Sequence, residues 1–202
     1  MPSNSEFSLC VAVLAAGQSR RFVGADKLVQ PLDGTMLGLH ICDAIKPLNC
    51  AHSVVIASAD DHPCSGGWQA AGFEIPVNEN AAEGLGTSVA CAARFASDKA
   101  ADALLICLAD MPFVPAGHLQ DLVSQLDPEN LRTMFASDDG IRRSPPAIFA
   151  ASHFAELTKL KGPAGARDLL AVADTIKTPP QWLADIDTRE QLALAQSRPI
   201  DV

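Results

Sequence analysis

The sequence predicts an α/β fold: three layers, with a mainly parallel, mixed sheet and helices on both faces. Three observations carry that expectation. Apolar strand-like runs alternate with helix-like segments from end to end, the pattern of a sheet built from crossover units. Two of the runs, Leu9-Cys10-Val11-Ala12-Val13-Leu14 and Ala103-Leu104-Leu105-Ile106-Cys107-Leu108, are apolar at every position and suit strands buried on both faces. No hydrophobic stretch reaches the length needed to span a bilayer.

The elements follow in order. Leu9 to Leu14 is the first strand, and a helix is read from Met36 to Ile45, stopped by Pro47. Ser53-Val54-Val55-Ile56-Ala57 is short and β-branched, hence a second strand, with a third expected over Phe73 to Val77. Thr87 to Phe95 reads as a helix that begins after a glycine-rich loop. The strand Ala103 to Leu108 leads to a helix from Pro115 to Leu126, proline being suited to a first turn. Thr133 to Ala136 and Ala147 to Phe149 read as strands around an Asp139-Gly140 turn. Helical segments follow over Ser152 to Leu160 and Ala166 to Val172. A last helix begins at Thr188, where Thr188-Arg189-Glu190-Gln191 matches a capping box. No repeat, low-complexity tract or linker interrupts the 202 residues, so a single domain is expected. A chain of this size buries about 70% of the surface it exposes when unfolded.

Composition narrows the partners. Hydrophobic residues make up 48% and charged residues 19%, as in an ordinary globule. A net charge of −9 disfavours nucleic acid and anionic membranes as partners. It leaves a small anionic ligand open, because Arg20, Arg21 and Lys27 concentrate positive charge locally. The six cysteines have no C-x-x-C or zinc spacing, and Cys10, Cys91 and Cys107 read as reduced packing residues. The five histidines show no metal-pair spacing either, so neither a zinc site nor a cysteine nucleophile is expected. Met1 to Glu6 lacks a basic start and an apolar core, so a cytoplasmic location is the expectation.

The opening strand runs into Leu14-Ala15-Ala16-Gly17-Gln18-Ser19-Arg20-Arg21-Phe22, with Asp26-Lys27 just behind. Small residues let the backbone approach a ligand, and outward N–H groups beside cations make a cradle for a polyphosphate. In α/β sheets ligands lie beyond the carboxyl ends of the strands, which sets Gly17, the loop before Thr87 and Asp110 along one edge. Asp110, in Leu108-Ala109-Asp110-Met111-Pro112, directly follows a buried strand. One carboxylate there, together with substrate phosphates, suits Mg²⁺. The same residue also suits a turn or a helix cap. Glu83-Gly84-Leu85-Gly86-Thr87-Ser88 offers a free backbone and two hydroxyls at a helix start, for nucleotide contact or for a cap alone. Arg142 and Arg143, beside Pro145-Pro146, are either phosphate-binding guanidinium groups or residues of a solvated hairpin.

The first loop matches neither G-x-x-x-x-G-K-[ST] nor G-x-G-x-x-G, which argues against P-loop enzymes and nicotinamide oxidoreductases. It resembles the L-A-[AG]-G-x-S-x-R-[FM]-x-G-x-x-K loop of nucleotidyltransferases with a Rossmann-like fold. Within them it is most similar to the molybdopterin guanylyl- and cytidylyltransferase group, above all the molybdenum cofactor cytidylyltransferases. The L-[AG]-D-M-P, G-[ML]-G-[ST]-S, G-x-x-x-x-P-x-[LI]-F and D-[IV]-[DN]-T-x-E segments of that group match Asp110, Gly84 to Ser88, Gly140 to Phe149 and Asp185 to Glu190, so the resemblance runs through nearly the whole chain.

The resemblance implies Mg²⁺-dependent transfer of a nucleotidyl group, CMP from CTP, to the terminal phosphate of molybdopterin cofactor. Pyrophosphate is released and the product passes to a molybdenum hydroxylase. Leu14, Ala15, Ala16, Gly17, Lys27, Gly86 and Ser88 would hold the nucleotide, within a part spanning about 7–115. Arg21, Lys27 and Asp110 would be catalytic, Asp110 and Asp187 would be metal ligands, and Arg142, Arg143 and Pro146 would receive the acceptor within about 116–202. Alanine at position 16, where guanylyl-transferring relatives carry glycine, favours cytosine. GTP as donor, another phosphorylated acceptor and a non-catalytic carrier or insertion partner stay open. Two departures stand out: Val23 replaces a usual glycine, and Lys161-Gly162-Pro163-Ala164-Gly165-Ala166-Arg167 lacks the acid of the group's G-D-x-G-A-R turn.

Overall fold

The computed structural model describes residues 7–17, 22, 26–127, 130 and 132–197. Arg20, Arg21 and Val23, named above, lie outside these. Six strands form one sheet in the order β4-β1-β5-β7-β6-β8: β1 is Leu9–Leu14, β4 His52–Ile56, β5 Ala103–Leu108, β6 Met134–Asp138, β7 Arg143–Ala150 and β8 Asp174–Lys177. A two-residue hairpin, β2 (Pro31–Leu32) with β3 (Thr35–Met36), stands apart.

The alternation of side chains along β1 explains the three layers. Leu9, Val11 and Val13 pack on one side with Ile41 and Ile45 of α1 (His40–Ile45), Trp68 of α2 (Ser65–Ala70), and Leu119 and Leu122 of α4 (Ala116–Ser124). Cys10, Ala12 and Leu14 pack on the other with Val89, Ala92 and Ala93 of α3 (Leu85–Asp98), Leu157 of α5 (Phe154–Leu157) and Leu170 of α6 (Arg167–Val172). A third, small core joins Phe22, Leu32, Leu37 and Ile186 to Leu192 and Ala195 of α7 (Arg189–Gln196). All six cysteines are free thiols. Among the described residues, no helix is long and apolar enough to cross a membrane.

Only β7 runs against the rest: it pairs antiparallel with β5 (Ile106 opposite Ala147) and with β6, while the other ladders are parallel. The other five strands therefore end at one edge. Gly17, Asp110, the turn before Arg143 and the segment after β8 all emerge there.

Three expectations change. The strand expected over Phe73 to Val77 is reduced to two isolated bridges, from Val54 to Glu74 and from Ala57 to Val77. Pro76 has no N–H to extend the ladder and only accepts, from Ala57. The helix expected over Met36 to Ile45 begins with a 3₁₀ turn at Leu37–Leu39, where Gly38 packs against Leu28. The helix expected over Ser152 to Leu160 is a 3₁₀ turn followed by the four-residue α5.

Candidate active site

At the shared edge, Leu14 to Gly17 line a cavity of about 600 Å³, with Lys27, Ser88, Asp110, Asp185 and Asp187 on its other walls. Ala15 donates its N–H to the Ile56 carbonyl at 2.9 Å, which holds the strand exit in line with β4. Gly17 faces open space: a Cβ there would meet nothing within 4 Å.

Lys27 is buried and lies in a one-turn 3₁₀ helix, Lys27–Val29. Its ammonium donates to Asp110 Oδ2 at 2.5 Å and to Asp187 Oδ1 at 2.6 Å. Two carboxylates read separately in the sequence are thus joined across one cation. Asp187 reaches it because the Ile186 N–H donates to the Asp110 carbonyl at 3.0 Å. The capping box at Thr188 is present, and Gln191 Oε1 accepts the N–H of both Asp187 (2.7 Å) and Thr188 (2.9 Å). The box therefore helps to hold Asp187 beside Lys27.

Among the described residues, carboxylates outnumber cations at this site. Burial pulls the Lys27 pKa down, but Asp110 and Asp187 more than offset it, and the ammonium stays charged above the ordinary lysine value. Burial pushes the Asp110 carboxyl above the usual carboxylate range; Lys27 opposes the rise, while Asp185 and Asp187 add to it. Asp110 Oδ1 is out of solvent and accepts no hydrogen bond. An unpartnered carboxylate oxygen beside an excess of acids fits a hard divalent cation. Among the described residues no three His, Cys, Asp or Glu side chains converge as a metal site. Two carboxylates, with substrate oxygens and water, match the sparse protein coordination of Mg²⁺.

The glycine-rich segment divides its work. Asn78, which the sequence reading passed over, donates from Nδ2 to Thr87 Oγ1 (2.9 Å) and Ser88 Oγ (3.0 Å). Ser88 accepts there, so its own hydroxyl proton is free to turn toward the cavity it lines. Gly84 has φ +118°, and a Cβ on it would come within 2.6 Å of Gly162. Gly86 does not line the cavity: its N–H donates to the Gly162 carbonyl at 2.8 Å, and a Cβ would meet Lys161 backbone at 2.6 Å. Both glycines let residues 161–163 press onto the start of α3.

A second cavity, of about 620 Å³, adjoins the first across Leu14, Leu85, Leu108 and Asp185. Ile106, Phe149 and Leu170 give it an apolar floor, and Arg142, Arg143 and Arg167 stand around it. Arg143 donates to the Ala171 carbonyl, and Arg142 lies 3.8 Å from Asp185. Pro145 lines this cavity but Pro146 does not; the Pro146 carbonyl points behind it and accepts from Ser137 Oγ at 2.7 Å. Ser137 in turn accepts from His118 Nε2 at 2.7 Å.

Asp185 is the acid that sequence reasoning missed. In an extended segment, residues two apart share a side. Asp185 and Asp187 face the cavity while Ile186 enters the small third core. The Asp-Ile-Asp alternation was the signal.

Comparison with known proteins agrees with this fold. Residues 11–178 match the family model described as MobA-like NTP transferase domain. The purine catabolism protein PucB of Bacillus subtilis (strain 168) is 34% identical over 167 residues, 78% of each chain. The crystal structure of Rv0371c from Mycobacterium tuberculosis H37Rv is 19% identical, covers 95% of this chain and 99% of its own, and superposes with a TM-score of 0.73. Molybdopterin-guanine dinucleotide biosynthesis protein A from Archaeoglobus fulgidus is 18% identical, covers 93% of this chain and 96% of its own, and has a TM-score of 0.66.

Proposed function

This chain belongs to the MobA-like NTP transferase family, and from that premise we propose that it transfers CMP from CTP to the terminal phosphate of molybdopterin cofactor, with Mg²⁺ bound at Asp110 and Asp187. The observation that carries the reading is the ion triplet Asp110–Lys27–Asp187 on the floor of a cavity that opens directly into a second, arginine-edged one.

Leu14 to Gly17 and Ser88 bind the nucleotide in the first cavity. Lys27 meets the β- and γ-phosphates, where negative charge grows as pyrophosphate leaves. Arg21, six residues before Lys27 in the sequence, is assigned a share of that task. The cation supplies charge neutralisation at the α-phosphate when bound. Arg142 and Arg143 hold the acceptor so that its phosphate oxygen, already an anion, lies in line with the α-phosphorus. No strong general base is required, and positioning with charge compensation supplies the rate.

Of the relatives' names, that of the archaeal neighbour alone speaks of a cofactor dinucleotide, and it names guanine, while PucB is named for purine catabolism. GTP as donor is therefore the second reading; transfer to another phosphorylated acceptor and a carrier or insertion role without turnover are further alternatives. The test is incubation with each of the four NTPs, Mg²⁺ and molybdopterin cofactor, with product mass and pyrophosphate as readouts. A cytidylyl adduct is expected. A guanylyl adduct moves the reading to GTP, and no adduct with any nucleotide overturns it.

A further inference from the structure

His62 lines neither of the two cavities, and the sequence offers it no partner, yet it is fastened on three sides. Its ring stacks on Trp68, with centroids 4.9 Å apart and planes at 21°. Trp68 is fully buried and anchored by its own Nε1–H to the Gly38 carbonyl at 2.9 Å. The Nδ1 atom of His62 accepts the Cys64 N–H at 3.1 Å, so in the neutral ring the proton sits on Nε2. That Nε2–H donates to Asp26 Oδ2 at 2.7 Å. The other Asp26 oxygen accepts the Leu28 N–H at 2.9 Å and caps the turn over Lys27–Val29.

Further contacts point the same way. Gln30 Nε2 donates to the Asp26 carbonyl at 3.1 Å, and the Cys64 thiol to the Leu28 carbonyl at 3.4 Å. The turn that carries Lys27 is therefore held to the 62–68 segment by side chains, in addition to its own backbone.

We infer that His62 is a positioning residue for the transfer: through Asp26 it sets the point from which Lys27 enters the site. The inference rests on the proposed role of Lys27 at the triphosphate. In the free protein Asp110 and Asp187 also hold the ammonium. When a cation engages those carboxylates and Lys27 turns to phosphate, the backbone turn decides where the ammonium can reach. The relay through His62 then bears on turnover more than on folding. Its chemistry is specific: a donor must meet Asp26 while an acceptor meets the Cys64 N–H.

The test uses the full-length protein with His62→Phe, which keeps the ring on Trp68 but loses both hydrogen bonds, and His62→Gln, whose amide can supply a donor and an acceptor. Pyrophosphate release with Mg²⁺, molybdopterin cofactor and the nucleotide the wild type uses gives kcat and KM. Hydrogen exchange at the Leu28 amide reports the cap, and thermal unfolding reports the fold. His62→Phe is expected to lose about one to two orders of magnitude in kcat, the scale of a small misplacement. The acceptor KM should stay unchanged, Leu28 exchange should speed up, and His62→Gln should recover much of both. Wild-type kcat in His62→Phe, or a loss that only follows its melting temperature and is not rescued by glutamine, overturns the inference alone. A wild type that turns over none of the four NTPs overturns the functional reading and this assignment with it.

Discussion

The two cavities sit side by side on one sheet edge, yet they are built differently. The first lies beyond parallel strands, where β1 and β5 each deliver their chemistry within two or three residues of their ends, as Gly17 and Asp110. The second lies over β7, the reversed strand, and draws its floor and its arginines from separate elements: β5, the turn before Arg143, β7 itself and α6. A parallel strand end is a local address that sequence can read. A wall assembled from distant pieces has no such address. The contrast also separates surfaces: carboxylates around an ammonium on one side, an apolar bed with guanidinium edges on the other.

That division can be broken most directly at Asp110. Asp110→Asn keeps shape and an acceptor for Lys27 but removes one of the cavity's carboxylates, and pyrophosphate release should fall by about 10²–10³-fold or more, with the melting temperature kept. Retained turnover would remove Asp110 from the chemistry. Lys27→Ala should also cost orders of magnitude in turnover, and it leaves carboxylates without their ammonium, so chemical denaturation should show a loss of up to about 3–5 kcal/mol. A change confined to nucleotide KM would make Lys27 a uniform binding residue.

On the other side, Arg143→Ala should raise the acceptor KM about 10- to 150-fold and leave the nucleotide KM alone, given about 1.5–3 kcal/mol for a hydrogen bond to a charged group. If nucleotide affinity falls equally, the two cavities are not separate sites. The glycines sharpen the comparison. Gly86→Ala drives a Cβ into Lys161 backbone and should destabilise the protein by about 1–3 kcal/mol while disturbing both substrates. Gly17→Ala, which meets nothing within 4 Å, should leave the melting temperature unchanged and weaken nucleotide binding alone.

The smallest expected effect lies behind the second cavity. Burial depresses the His118 pKa below 6.5, with Asp121 only partly opposing. The unfolded chain then binds the extra proton first, so stability should be lost as pH falls below about 6.5 and level off below the depressed folded value. His118→Gln should flatten that part of a plot of melting temperature against pH. An unchanged slope would show that His118 does not cause it.

The same contrast explains what was legible. β1 and β5 were readable to the residue because unbroken apolarity is what burial on two faces requires. β8 was not: Asp174-Thr175-Ile176-Lys177 is a four-residue edge strand whose exposed ends carry no pattern. α2 was hidden because Gly66 and Gly67 are poor helix formers; Gly67 is accommodated because Leu39 fills the space its Cβ would take. At the site, Asp110 and Asp187 were found and brought together, with Lys27 between them. The double glycine of the α3 loop was read as serving a ligand, whereas Gly86 serves the chain itself. His62 and Asn78 carry no sequence signal, because their partners are set by tertiary packing.

The joint between Asp110 and the Asp185–Asp187 segment has a further consequence. On the ribosome, the parallel half of the sheet emerges complete with its first acid long before the last one is made. A chain that ends before residue 185 holds Lys27 and Asp110 but lacks the carboxylate that closes the ion triplet. The triplet is therefore closed only once Asp187 has been made and Gln191 of α7 accepts its N–H, and a fragment ending before residue 185 should show no turnover.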